Sequence, residues 1–217
     1  MLKNSNNIKI YEKGLYFLSL GGIGEIGANC YLYCCDGKWI MIDLGLSFAD
    51  EQFPGVDLLV PKINFIEEIK NNLEAIIISH GHEDHAGAVA YLSDKIQCPV
   101  YASSFPKLLI ENRLKEFGKL DSINLIELDS TKNLLLENFN LRFIETTHSI
   151  PQPQAIVIET KYGNLLHTAD WKIDSKPTLG KAFNKNSFID LGNEGVLALI
   201  GDSTNADVPG FSSSEED

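Results

Sequence analysis

Cysteine, basic residues, long apolar runs and histidine are all scarce in this 217-residue chain. The four cysteines, Cys30, Cys34, Cys35 and Cys98, form neither a disulfide framework nor a paired Cys-x-x-Cys metal signature. They are expected as small buried hydrophobes of a reduced compartment. No stretch reaches the roughly 18 consecutive apolar residues of a membrane span. The opening residues, Met1 to Lys9, lack an apolar segment followed by a small-residue cleavage site, which argues against secretion and for the cytoplasm. Lysine and arginine number 18 against 30 aspartates and glutamates, a net charge of −12. That balance argues against wrapping nucleic acid with a basic surface. It does not exclude an anionic substrate, because bound metal cations invert the local field.

What is present is concentrated. Three of only five histidines fall within His80-Gly-His82-Glu-Asp84-His85, directly after the apolar run Leu73 to Ser79. A strand that delivers three imidazoles and a carboxylate into one turn is suited to divalent zinc or manganese. The spacing lets His80 and His82 face one metal while Asp84 and His85 face a second.

The apolar patterning around this cluster reads as a layered α/β architecture with mixed sheets. Strands are expected at 15–20, 29–35, 38–43, 74–78 and 99–102. The second and third form a hairpin closed at Asp36-Gly37. Helices are expected at 63–70 and 107–116, with another opening at His85, whose inner face carries Ala88, Val89 and Leu92. Residues 53–61 read as a loop. The second half is strand-rich, with candidates at 124–128, 133–136, 141–146, 155–160, 165–168 and 195–200. There is no internal repeat and no linker.

Gly22-Ile-Gly24-Glu-Ile-Gly27 matches the glycine pattern of a dinucleotide fingerprint, but that fingerprint must open a helix. Here it runs into the β-rich Ala28 to Cys35, so no nucleotide cofactor is expected. The glycines are read as a sharp loop near the metal pocket, with Glu25 and Asn29 supporting the metal ligands or facing substrate. Two further strand ends complete the cluster: His148, in Thr146-Thr-His-Ser-Ile-Pro151, and Asp170, in His167-Thr-Ala-Asp-Trp171. His148 completes a first site with His80 and His82. Asp170 bridges two metals, since a shared anion offsets the repulsion of two dications. Asp43 is read as holding a ligand histidine by its second ring nitrogen, and His167 as a strand residue or a support behind the ligands.

These residues resemble the metallo-β-lactamase fold. More closely, they resemble the N-terminal part of the ribonuclease J family, of the β-CASP group of RNA-processing nucleases. The resemblance runs through Leu20 to Gly27 with Asn29, Ile42 to Leu46, Phe53 to Asp57, Ser79 to Gly87, His148 to Pro151, His167 to Asp174, and Gly201-Asp-Ser-Thr-Asn205 with Pro209-Gly210. It implies an αββα sandwich and a two-metal centre. His80, His82 and His148 would hold one metal, Asp84 and His85 the other, and Asp170 both. Asp84 would also orient or deprotonate the attacking water. The implied activity is metal-dependent hydrolysis of single-stranded RNA, internally and 5′→3′ from a 5′ monophosphate, in bacterial mRNA decay and rRNA maturation. Partners implied are RNA and either further copies of the chain or an RNA-decay assembly, with no membrane. The alternatives are a hydrolase of thiol esters or small esters on the same fold, and an inactive remnant. Two positions depart from the family pattern: Ala169 replaces a common glycine, and Gln152 a common acidic residue. The chain, residues 1–217, ends near the expected start of the β-CASP insertion, so an incomplete catalytic unit is expected.

Overall fold

The computed structural model describes residues 12–216 except 50 and 52. Residues 1–9, on which the leader reading rests, and Asp217 lie outside the described residues. The chain divides into two compact units, Met1–Leu128 and Asp129–Asp217.

In the first unit, β1 (Leu15–Gly21), β2 (Cys30–Cys35) and β3 (Lys38–Ile42) form an antiparallel meander. The β2–β3 turn closes through Asp36 and Gly37, both at positive φ (48° and 81°), as a two-residue hairpin with the native twist requires. The expected loop at 53–61 contains a short strand: β4 (Ser47–Phe48) pairs with β5 (Leu58–Leu59). Next come α1 (Asn64–Ile69) and β6 (Leu73–Ile78), then α2 (Glu83–Ala86) and α3 (Ala88–Tyr91). The unit closes with β7 (Val100–Ala102), α4 (Ser104–Glu116) and β8 (Leu125–Glu127). The sheet order is β1-β2-β3-β6-β7-β8, parallel from β3 onward.

The continuous apolar run of β6 suits a central parallel strand, and Ile76, Ile77 and Ile78 are buried. One core gathers Leu32, Trp39, Met41, Ile76 and Ile78 from the sheet with Ile66, Ile69, Val89, Ile110 and Leu114 from the helices. The helix expected to open at His85 starts two residues earlier, with His82 extended as its N-cap (φ −67°, ψ 150°). It is interrupted at Gly87, so the predicted single helix is two short ones. All four cysteines are buried thiols. Burial pushes Cys34 and Cys98 up to about 11 and Cys30 higher still, favouring the neutral thiol.

The second unit holds β9 (Leu134–Leu135), β10 (Asn140–Glu145), β11 (Gln154–Thr160), β12 (Gly163–His167), α5 (Lys185–Glu194) and β13 (Ala198–Ile200), with sheet order β13-β12-β11-β10-β9. Neighbours are antiparallel except β12 and β13, which α5 connects in parallel. Helix α5 is absent from the sequence expectation. Its Asn, Ser and Gly content weakens the helical signal. It forms because the Asn184 side chain caps Asn186 N–H at 3.1 Å and because Leu191 and Phe188 pack on Ala155, Val157 and Leu166. Among the described residues, no helix is long and apolar enough to cross a membrane.

Candidate metal centre

In the first unit the candidate ligands stand at the carboxyl ends of parallel strands, where open α/β sheets place ligands. The β3–β6 register sets Ile42 beside Ile77, and Asp43 N–H donates to Ile77 O at 2.9 Å. The residues after the two strands are therefore neighbours. Asp43, fully buried at φ 62°, accepts from Ser79 N–H on Oδ1 at 2.7 Å. Its Oδ2 accepts from Ser79 Oγ at 2.8 Å and from His85 Nδ1 at 2.7 Å.

That carboxylate fixes two tautomers. His85 gives its Nδ1 proton to Asp43 and so turns an Nε2 lone pair toward the candidate site. Ser79 spends its hydroxyl proton on Asp43, so its oxygen accepts from His80 Nδ1 at 3.0 Å. His80 then also presents a lone pair at Nε2, which lies 3.2 Å from His82 Nδ1. Two ring nitrogens facing each other at that distance are close enough to share one cation. His85 Nε2 lies 3.6 Å from Asp84 Oδ2, a second donor pair. Asp43 thus meets a ring nitrogen of His85 directly and reaches His80 through Ser79.

The turn that carries these donors is bound to the rest of the unit by backbone contacts. Leu44 N–H donates to His85 O, Leu46 N–H to Glu83 O, and Asn29 N–H to Asp84 O, at 2.9–3.0 Å. Such an approach needs Gly45, because a Cβ there would lie 1.6 Å from Asp84 O. The Gly22–Gly27 loop is a series of bends and opens no helix, as expected. Glu25 is exposed and accepts from Gly22 N–H at 3.2 Å, bracing its own loop. Asn29 is buried and its Nδ2 contacts Asp84 Oδ2 at 3.2 Å and His85 Nε2 at 3.0 Å.

In the second unit His148 and Asp170 each follow a strand end by three residues. Strands β10 and β12 flank β11 and run parallel to each other, so both residues emerge at one sheet end. An isolated Thr147–Lys172 bridge draws the two loops together, with Lys172 N–H donating to Thr147 O at 2.8 Å. His148 Nε2 lies 3.6 Å from Asp170 Oδ2, a third donor pair. His167 ends β12 and is buried, as read. Ala169 and Gln152, the two departures, both hold positive φ (50° and 58°). For Ala169 this explains why glycine suits the position: the left-handed region costs other residues about 1–2 kcal/mol.

The donor chemistry therefore fits divalent metal, with imidazole lone pairs set by second-nitrogen hydrogen bonds and carboxylate oxygens alongside. Ser79 and Gly45 have no role in the sequence reading. Only Ser79 carried a signal, its place next to His80.

Residues 23–179 match the metallo-beta-lactamase superfamily. Ribonuclease J of Sinorhizobium meliloti is 42% identical over 208 residues, covering 94% of this chain and 37% of that protein. Ribonuclease J2 of Bacillus subtilis is 34% identical over 213 residues, covering 98% and 37%. The chain thus spans little more than a third of the length of these curated relatives. The crystal structure of a protein of unknown function from Enterococcus faecalis V583 aligns with TM-score 0.68 at 16% identity, covering 92% of this chain and 52% of that one, a likeness of fold alone. With its α/β fold, its match over residues 23–179 and its ribonuclease J-like sequence, the chain belongs to the metallo-beta-lactamase superfamily.

Proposed function

We propose that the protein is a metal-dependent ribonuclease that hydrolyses phosphodiesters of single-stranded RNA, both internally and 5′→3′, and that residues 1–217 contribute part of its metallo-β-lactamase domain. The observation that carries this reading is the set of three donor pairs, His80–His82, Asp84–His85 and His148–Asp170, each 3.2–3.6 Å apart at strand ends. The names of the similar proteins supply the substrate class. His80, His82 and His148 would hold one metal, Asp84 and His85 a second, and Asp170 both.

When bound, two divalent ions, zinc or manganese, supply Lewis acidity at the phosphate and lower the pKa of an attacking water. The chain's own residues do the rest. Asp43 and Ser79 hold the imidazoles with their lone pairs inward. Asp84 orients the attacking water and takes its proton. Asp170 would supply negative charge shared between the two ions. Bacterial mRNA decay and rRNA maturation in the cytoplasm, with self-assembly or membership of an RNA-decay assembly, complete the proposal.

The test is cleavage of a labelled single-stranded RNA bearing a 5′ monophosphate by the full-length protein, beside a small thiol ester, with zinc or manganese. RNA cleavage is expected, and Asp170→Ala lowers it by about 10²-fold or more, the scale of losing one charged group from a preorganised site. Near-unchanged rates in Asp170→Ala would remove the bridging role. Turnover of the thiol ester without RNA cleavage would favour the ester-hydrolase alternative.

A further inference from the structure

His148 and Asp170 stand beyond the ends of β10 and β12, so the strand ladder alone does not fix them. Thr147, next to His148, is 3% exposed and is tied to the segment after Asp170 at three points. Its carbonyl accepts from Lys172 N–H at 2.8 Å, its hydroxyl donates to Lys172 O, and the same Oγ1 accepts from Asp174 N–H at 3.3 Å. The backbones of Lys172 and Asp174 thus hold Thr147, while their side chains hold a third segment, Ser213–Glu215. Asp174, buried, accepts from Glu215 N–H on Oδ2 at 2.9 Å, and its Oδ1 lies 2.7 Å from Ser214 Oγ. The Lys172 ammonium pairs with the Glu215 carboxylate and reaches Ser213 O at 3.4 Å. A buried carboxylate is costly unless donors meet its oxygens, and hydrogen bonds to a charged acceptor are stronger than neutral ones. Ser214 and Glu215 supply two such donors from 40 and 41 positions further along the chain.

We propose that Ser213–Glu215 is a strap that fixes the His148–Asp170 donor pair, with Asp174 as the positioning residue on which it fastens. The inference rests on reading His148 and Asp170 as metal ligands. Loosening the strap frees the side chains of Lys172 and Asp174, so their backbones shift and the Thr147 bridge opens more often. The two donors then spread apart, and affinity for a metal held by that pair falls. A merely stabilising contact would lower the melting temperature and leave the metal affinity of the folded protein unchanged.

The experiment compares the full-length protein with its variants Asp174→Asn, Ser214→Ala and Thr147→Val, and with Lys132→Ala as a control at an exposed position of the same unit. Two quantities are read at a temperature where circular dichroism shows the proteins folded. One is hydrogen exchange in the peptide spanning residues 168–176, which holds the Lys172 and Asp174 amides bound to Thr147. The other is Zn²⁺ affinity by chelator competition. Asp174→Asn and Ser214→Ala are expected to speed exchange about tenfold, the weight of one hydrogen bond. They weaken zinc binding about tenfold or more. Thr147→Val does the same with the strap contacts intact, because it cuts the path between strap and donors. Lys132→Ala matches the parent. Ser214→Ala, which removes a single hydroxyl, carries the test if Asp174→Asn does not fold. Unchanged exchange in Ser214→Ala would overturn the strap. Faster exchange with parental zinc affinity would overturn the positioning role. A parent protein that takes up no zinc would overturn the ligand reading and the positioning role with it, and the exchange rates, which need no metal, separate that failure from failure of the strap.

Discussion

At the scale of single residues, the candidate centre depends on one carboxylate that touches no metal in our reading. Asp43 is the common acceptor for Ser79 N–H, Ser79 Oγ and His85 Nδ1, all buried. Asp43→Ala strands these donors at about 1–3 kcal/mol each, so a marked fall in urea stability is expected for the metal-free chain. Zinc affinity should fall about 10–100-fold, the usual weight of a group behind the ligands, and less than in His82→Ala. Equal losses in the two variants would mean that Asp43 is itself a ligand. Asp43→Asn is the finer probe, because asparagine tolerates the φ of 62° and only the acceptor pattern changes. The histidines and Asp84 were legible in sequence because their chemistry is dense and local. The route from Asp43 through Ser79 to His80 was not, because it joins residues 36 positions apart across a parallel strand pair.

At the scale of elements, the turn after β6 is shaped by a glycine rather than by helix propensity. Backbone bonds fasten residues 83–85 to residues 29–46, and Gly45 lets the two segments meet. Gly45→Ala places a Cβ 1.6 Å from Asp84 O and 2.1 Å from its carbonyl carbon, so the turn must move. The expected cost is about 3 kcal/mol or more, the upper end of overpacking, together with loss of zinc uptake. Gly24→Ala is the matched control: its φ is 75° but a Cβ there meets nothing within 4 Å. It should lose about 1 kcal/mol and keep its metal. Zinc uptake in Gly45→Ala equal to the parent would show that this close contact does not position the ligands. Sequence periodicity found the strands well, since apolar runs such as Leu73 to Ile78 report burial directly. It placed the helix start at His85 instead of Glu83 and passed over α5, because one boundary is set by an extended N-cap and the other helix by packing on its sheet.

At the scale of the whole molecule, an excess of acidic groups makes stability depend on how each carboxylate is held. In the second unit Asp174 is buried and accepts from Glu215 N–H at 2.9 Å, Lys176 N–H at 2.9 Å and Ser214 Oγ at 2.7 Å, with the Lys172 ammonium 3.5 Å away. The Glu215 and Lys176 amides, aided by Ser214 and Lys172, lower its pKa to about 2. A carboxylate depressed in the folded state contributes stability above its unfolded value, near 3.9, and loses that contribution as pH falls through the folded one. Melting temperatures of the parent and Asp174→Asn should therefore differ most above pH 4 and converge toward pH 2. A constant difference across that range would mean that the charge of Asp174 contributes nothing. By itself, the sequence determined the family, the residue types of the candidate site and most strands, because these are written in local composition and in periods of two and 3.6 residues. Only the tertiary structure decided which nitrogen of His80 and His85 faces the ligand position, why residue 45 must be glycine and what Asn29 touches. Those depend on strand register and on close backbone approach between segments far apart in the chain, which no local pattern encodes.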